Sequence, residues 1–134
     1  MGGLLRDLVS IVIPTYNRAP YLRDAVDSVS AQTIRNFEII VVDDGSADHT
    51  HELVLSYKDK VKYLYQDHEE RAAARNKGIR CAKGAYIAFL DSDDLWLSNH
   101  LEECLKALQS NPDAGLCYSG SYMIDQNGEI ISKV

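Results

Sequence analysis

What is scarce in this chain narrows its function before any motif is read. Cysteine is rare: Cys81, Cys104 and Cys117 are widely spaced, and no two form a C-x-x-C pair. An odd, scattered set of thiols supports neither a disulfide framework nor a structural zinc site, so these read as reduced core residues of a cytoplasmic protein. Long apolar runs are missing too. No stretch reaches transmembrane length, and Met1 to Leu8 is no signal peptide. The expected location is the cytoplasm, in solution or at the inner face of the membrane. Basic residues are outnumbered, 14 Lys and Arg against 20 Asp and Glu, for a formal charge of −6. Nucleic-acid binding needs clustered cations against phosphates, which argues against that partner. A nucleotide ligand stays open, because a bound metal can neutralise its diphosphate. Linkers, internal repeats and low-complexity tracts are absent. What is present, 46% hydrophobic and 25% charged residues over 134 positions, is the balance of one soluble globular domain with a sizeable core.

Strand-like and helix-like segments alternate along the chain. Val9 to Pro14 is a short β-branched run stopped by proline. From Tyr21 to Gln32, the apolar residues Leu22, Ala25, Val26 and Val29 fall at helical spacing. Phe37 to Val42 is a continuous apolar run, as suits a strand covered on both faces. Ser46 or Asp48 is positioned to cap a helix carrying Leu53, Val54 and Tyr57. Val61 to Tyr65 reads as a third strand, and Arg71 to Lys83 as a helix with Gly84 at its C′ position. Ala85 to Leu90 is a fourth strand and Ser98 to Ser110 a further helix. Ala114 to Tyr118 reads as a fifth strand. Tyr122 to Ile124 and Glu129 to Ile131 flank an Asn127-Gly128 hairpin turn. Alternation of this kind implies an α/β fold, a three-layer sandwich around a mostly parallel sheet.

Ligands of such sheets bind beyond the carboxyl ends of the strands. Three polar clusters stand there: Pro14-Thr15-Tyr16-Asn17-Arg18, Asp43-Asp44-Gly45-Ser46 and Asp91-Ser92-Asp93-Asp94. The last puts three carboxylates in four positions at the end of an apolar run. Like charges this close raise one another's pKa, and a bound cation relieves them. On extended backbone Asp91 and Asp93 share a face, which suits a pair delivered to a divalent metal. A capped turn, with Ser92, Asp93 or Asp94 as N-cap of the next helix, explains the same residues. Asp44 is either a base-reading carboxylate or a turn residue, and Asp43 either steadies that loop or shares the work. Tyr16 suits stacking on a planar base or packing of its own loop. Arg75 is the strong cation nearest the acid cluster, suited to a diphosphate or to holding Asp91, or else it lies on a solvated helix face.

Four segments together resemble the family 2 glycosyltransferases, which adopt the GT-A fold. They are Ser10 to Arg18, Val41 to Asp48, Ala74 to Ile79 and Phe89 to Trp96, in family order and at family-like spacing. The resemblance runs from about Val9 to Tyr118 and implies a nucleotide-sugar donor, most often a UDP-sugar, with Mg²⁺ or Mn²⁺. By that resemblance Pro14, Thr15, Tyr16 and Arg18 belong to the donor-binding segment, with Pro14 and Tyr16 lining the base. Asp44 matches the carboxylate that reads the uracil. Asp91 is the first acid of the D-x-D signature, against the ribose or sugar, and Asp93 the acid that binds the metal. Arg75 lies near the donor phosphates. A metal held by one or two carboxylates stabilises a departing diphosphate as a Lewis acid.

Two departures stand out. The approach to the Ala74-Arg75-Asn76 segment is Gly-rich in many relatives but here reads Asp67-His68-Glu69-Glu70-Arg71. The family's acceptor-binding half and its catalytic base have no match before Val134. The expectation is therefore the donor half of an inverting, metal-dependent transferase acting on a sugar, glycan or glycoprotein acceptor, with its base outside this chain. A nucleotide-sugar-binding or assembly domain without transfer of its own is the alternative. A receiver-like signalling domain explains Asp43-Asp44 but leaves the Asp91 cluster unused. An open sheet edge favours self-association into a homo-oligomer.

Overall fold

The computed structural model describes residues 7–134; the first six residues of the segment read as no signal peptide lie outside them. The chain runs β1 (Val9–Thr15), α1 (Ala19–Ser30), β2 (Phe37–Asp43), α2 (Thr50–Ser56), a 3-10 turn (Lys58–Lys60), β3 (Val61–Tyr65), α3 (Arg71–Cys81), β4 (Tyr86–Phe89), α4 (His100–Ser110), β5 (Tyr122–Ile124) and β6 (Ile130–Lys133). The first four strands form one sheet in the order β3-β2-β1-β4, with every pairing parallel.

All seven residues of β1 and the last five of β2 are buried, which is why both read as unbroken apolar runs. Val9, Ile11 and Ile13 pack with Leu22, Val26 and Val29 of α1, Leu53 and Val54 of α2 and Leu101 of α4. Val12, Ile40 and Val42 face the other way, against Ala74 of α3. Helices therefore cover both faces, as three layers require. The α3 layer sits close because Gly78 has no side chain: a Cβ there would stand 2.3 Å from a Val12 methyl.

Register aligns the strand ends that matter. Thr15 pairs with Asp43, and Asp43 with Tyr65. Pairing of β1 to β4 stops at Val12 opposite Phe89. Pro14 thus sits within β1 rather than ending it, at a position where the β4 side needs no N–H.

Several expectations need correction. Ala114 to Tyr118 forms no strand; Leu116 and Tyr118 are 78% and 88% exposed. Apolar composition alone does not make a strand, and this segment meets no neighbouring ladder among the described residues. Gly84 does not close α3, which ends at Cys81 with Ala82 already extended. Its smallness instead serves a close approach, since a Cβ would lie 2.6 Å from the Leu8 carbonyl oxygen. The cysteines are free but half-buried rather than core residues.

Asp48 does act at a helix start, and at two of them. Its carboxylate accepts the Thr50 N–H of α2 at 3.0 Å and the Ala19 N–H of α1 at 3.1 Å. Burial raises its pKa, but these bonds and that of the Thr50 hydroxyl outweigh it and hold the carboxyl below its ordinary value. Fully buried Gln32 ties the end of α1 to the start of α4, donating to the Leu97 carbonyl and accepting the Leu101 N–H. The β5–β6 pair is an exposed antiparallel hairpin around Asn127-Gly128, as expected. No helix among the described residues is long and apolar enough to cross a membrane.

Candidate functional site

The carboxyl ends of β1, β2 and β4 and the start of α3 enclose an open cleft of about 460 Å³. Pro14, Thr15, Tyr16, Arg18, Asp44, Asp91 and Asp93 all line it. Seven of the nine residues singled out in the sequence are thus brought to one place. Asp43 and Arg75 stand just behind them.

The loop after β1 is shaped by Asn17, which takes a left-handed φ of 50°. Its backbone N–H donates to the Ser46 hydroxyl, and its side-chain oxygen accepts the Ala47 N–H at 2.7 Å. The loops after β1 and β2 are thereby stitched together. Asp43 is buried and does the steadying work: it accepts the Ser46 N–H at 2.9 Å and the Tyr63 hydroxyl at 2.7 Å. Burial and then this carboxylate push the Tyr63 phenol well above its ordinary range. Thr15 is 3% exposed, and its hydroxyl is the buried side-chain polar atom left without a partner among the described residues.

Asp44 is also buried, yet saturated. One carboxylate oxygen accepts from Gln66 Nε2 at 2.7 Å and the Glu69 N–H at 2.9 Å. The other accepts the Glu70 N–H at 3.1 Å and faces His68 Nδ1 at 3.0 Å. Burial raises its pKa, but the four donors together more than offset it, so Asp44 stays ionised below its usual value. The anchored segment continues into Glu70, a non-glycine at φ 79°, immediately before α3. His68 lies against Tyr16, ring centroids 4.4 Å apart and planes tilted by 31°.

At the end of β4, Arg75 donates to Asp91 at 2.6 Å, and Arg18 pairs with Asp93. Asp94 is raised by partial burial and then by Asp93 and Asp91. It does not cap α4, which begins six residues later after Asn99. Trp96 packs against the core and stacks on His100 at 4.6 Å.

Among the described residues no three His, Cys, Asp or Glu side chains are grouped to hold a metal ion. The protein offers at most the Asp91 and Asp93 carboxylates, hard oxygen donors each paired to an arginine through one oxygen. That donor set fits a divalent cation taking most of its ligands from phosphates and water, as Mg²⁺ does.

Sequence reasoning missed Gln66, His68, Glu70, Arg71 and Ser92. Gln66, His68 and Glu70 meet Asp44 from more than twenty positions away, and no local period marks them, while Arg71 and Ser92 line the cleft wall. The departure from a Gly-rich approach before Ala74 was the available signal.

The chain matches the model of the family described as "Glycosyl transferase family 2" over residues 10–132. It is 46% identical over 121 residues to an uncharacterized glycosyltransferase of Rickettsia prowazekii, covering 89% of this chain and 38% of that protein. It is 40% identical over 128 residues to the Escherichia coli UDP-Glc:alpha-D-GlcNAc-diphosphoundecaprenol beta-1,3-glucosyltransferase WfgD, covering 94% of this chain and 50% of that protein. A mannosyltransferase from Pyrobaculum calidifontis, solved with GDP-Man and Mn²⁺, superposes with a TM-score of 0.72 at 28% identity, over 77% of this chain and 32% of that one. Staphylococcus aureus TarS, at 22% identity and a TM-score of 0.71 over 90% of this chain and 42% of that one, shares the fold. The chain spans about half or less of the length of these relatives.

Proposed function

The chain belongs to glycosyl transferase family 2, and from that premise we propose that it is the donor-binding part of a metal-dependent, inverting glycosyltransferase. The donor is a nucleotide-sugar, of the UDP-sugar class, and the acceptor a hydroxyl of a sugar, glycan or glycoprotein. We read residues 1–134 as one domain, the donor-binding portion, working on the cytoplasmic side. The observation that carries this reading is the convergence of Pro14, Thr15, Tyr16, Arg18, Asp44, Asp91 and Asp93 on one cleft. The relative named for UDP-Glc and the neighbour solved with GDP-Man and Mn²⁺ support the donor class and the metal.

In this reading Asp91 and Asp93 hold Mg²⁺ or Mn²⁺, which when bound supplies a Lewis acid for the departing diphosphate. Arg75 fixes the Asp91 carboxylate, so its orientation is set before any ligand arrives. Arg18 and Arg71 line the cleft and supply cationic hydrogen-bond donors for phosphate oxygens. Asp43 and Asn17 keep the two loops at the base end rigid.

The test is calorimetric titration with a panel of nucleotide sugars, with and without Mn²⁺. UDP-sugars should bind only with metal, and Asp93→Ala should abolish binding while the far-UV spectrum is unchanged. Metal-independent binding, or full affinity in Asp93→Ala, would remove the metal assignment. Failure of every nucleotide sugar to bind would remove the donor reading.

One observation favours a second reading, donor binding without transfer by this chain alone. Inverting transfer needs a base within reach of the acceptor hydroxyl. The carboxylates after Tyr118 are Asp125 and Glu129. Asp125 is engaged with the Asn127 and Glu129 N–H groups at 2.8 and 2.9 Å in the hairpin turn. Neither lines the cleft.

A further inference from the structure

We propose that His68 is an internal stand-in for the donor's base, seated on Tyr16 and Asp44 until a base bearing a ring N–H displaces it. This rests on the donor reading above and narrows it to a class of base.

The geometry of the imidazole carries the argument. Its ring lies on the Tyr16 ring with centroids 4.4 Å apart. Its Nδ1 stands 3.0 Å from a carboxylate oxygen of Asp44 and 3.1 Å from the Asp44 carbonyl oxygen. Both neighbours are acceptors, so Nδ1 carries the hydrogen. His68 thus offers the site a flat π-face and a ring N–H aimed at a buried carboxylate. A nucleobase with an imide or lactam N–H offers the same pair of features.

The two cannot be present together. Rings already in contact leave no slot for a third plane between them, so a base that takes this face of Tyr16 together with the Asp44 oxygen reaches them only where His68 has left. The cost of leaving is confined to one side chain. His68 is 57% exposed, whereas the Asp44 side chain is 6% exposed. Gln66, Glu69 and Glu70 keep their own bonds to Asp44 when the imidazole rotates away. The segment therefore stays docked while the seat opens.

Vacating the seat also defines what fits it. A buried carboxylate that loses a donor must regain one, or the unpaired acceptor weakens binding. Uracil, with its imide N–H, and guanine, with its lactam N–H, restore the bond. Cytosine and adenine present an acceptor at that ring nitrogen, so a base seated in the same pose sets a lone pair against the carboxylate, and their exocyclic amino donor reaches it only from a shifted pose. Thr15 points independently to a ligand polar atom in the same cleft, through its buried, unpartnered hydroxyl.

The test joins a spectroscopic and a thermodynamic readout, both with UDP and Mg²⁺. In the unaltered chain, the His68 ring resonances should shift from Tyr16-stacked to solvent-like values as UDP saturates. His68→Ala should bind UDP about fivefold more tightly, as when only about a fifth of the unaltered molecules are open at rest. CDP should gain no comparable affinity. His68 resonances that stay in place at saturation, or His68→Ala binding UDP no more tightly than the unaltered chain, overturn the proposal while leaving the donor reading intact. Absence of UDP binding to both proteins overturns the two together.

Discussion

Asp44 shows how far a single residue's environment departs from what its neighbours in sequence suggest. Asp-Gly after a strand says only that a carboxylate stands at a turn. The structure buries that carboxylate and surrounds it with four donors from positions 66–70. Asp44→Asn replaces one oxygen by an NH₂ group. Whichever way the amide turns, that NH₂ faces two donors, because each carboxylate oxygen is already shared by two. Leaving buried donors unpaired costs about 1–3 kcal/mol, so we expect a loss of that size in urea unfolding, together with weaker UDP binding. An unfolding midpoint equal to that of the unaltered chain would show the segment is not anchored this way. The strand-end residues of the site were legible because they sit beside apolar runs that local pattern exposes. His68 and Gln66 were not, since nothing local in Asp67-His68-Glu69-Glu70 says which carboxylate will collect their hydrogens.

At the scale of elements, periodicity located β1 to β4 and the helices between them, because each is defined by its own buried stripe. It failed at Ala114 to Tyr118 and at Gly84, where the outcome depends on a neighbour distant in sequence. Asp48 is the element-scale device that the sequence only half revealed: one side chain serves the first turns of both α1 and α2. Loss of an N-cap acceptor typically costs about 0.5–2 kcal/mol, and serving two helices places Asp48→Ala toward the upper part of that range at neutral pH. The sign of the pH dependence follows from the lowered pKa. A carboxyl whose folded value lies below its ordinary 3.8 contributes fully above 3.8 and loses that contribution as pH falls through the folded value. The stability gap between Asp48→Ala and the unaltered chain should therefore shrink in acid below 3.8. A gap that stays constant across that window would assign the effect to packing instead.

The whole molecule is unevenly covered. The β1 and β2 strands at the centre of the sheet are covered by α1, α2 and α3, and their apolar core residues are buried. The outward residues of edge strand β4 are less covered. Ile87 and Phe89 of β4 are 40% and 44% exposed. No strand pairs with the outer edge of β4 among the described residues, and Leu116, Tyr118, Ile130 and Ile131 all stand in solvent. An unpaired strand edge is a template for further pairing, and soluble monomers rarely leave large apolar side chains uncovered. We expect this 134-residue chain to self-associate in solution, its mean sedimenting mass rising with concentration. Leu116→Lys and Ile131→Lys together should lower that association, because charge at these exposed apolar positions must be desolvated for them to pack. Neither residue lines the donor cleft, so UDP affinity should be unchanged in the double variant. A chain that sediments as a monomer throughout the series would show that the exposed side chains are too scattered to act as one surface. Association lost together with UDP binding would instead mean that the cleft is completed across copies, with Leu116 and Ile131 at the joint between them.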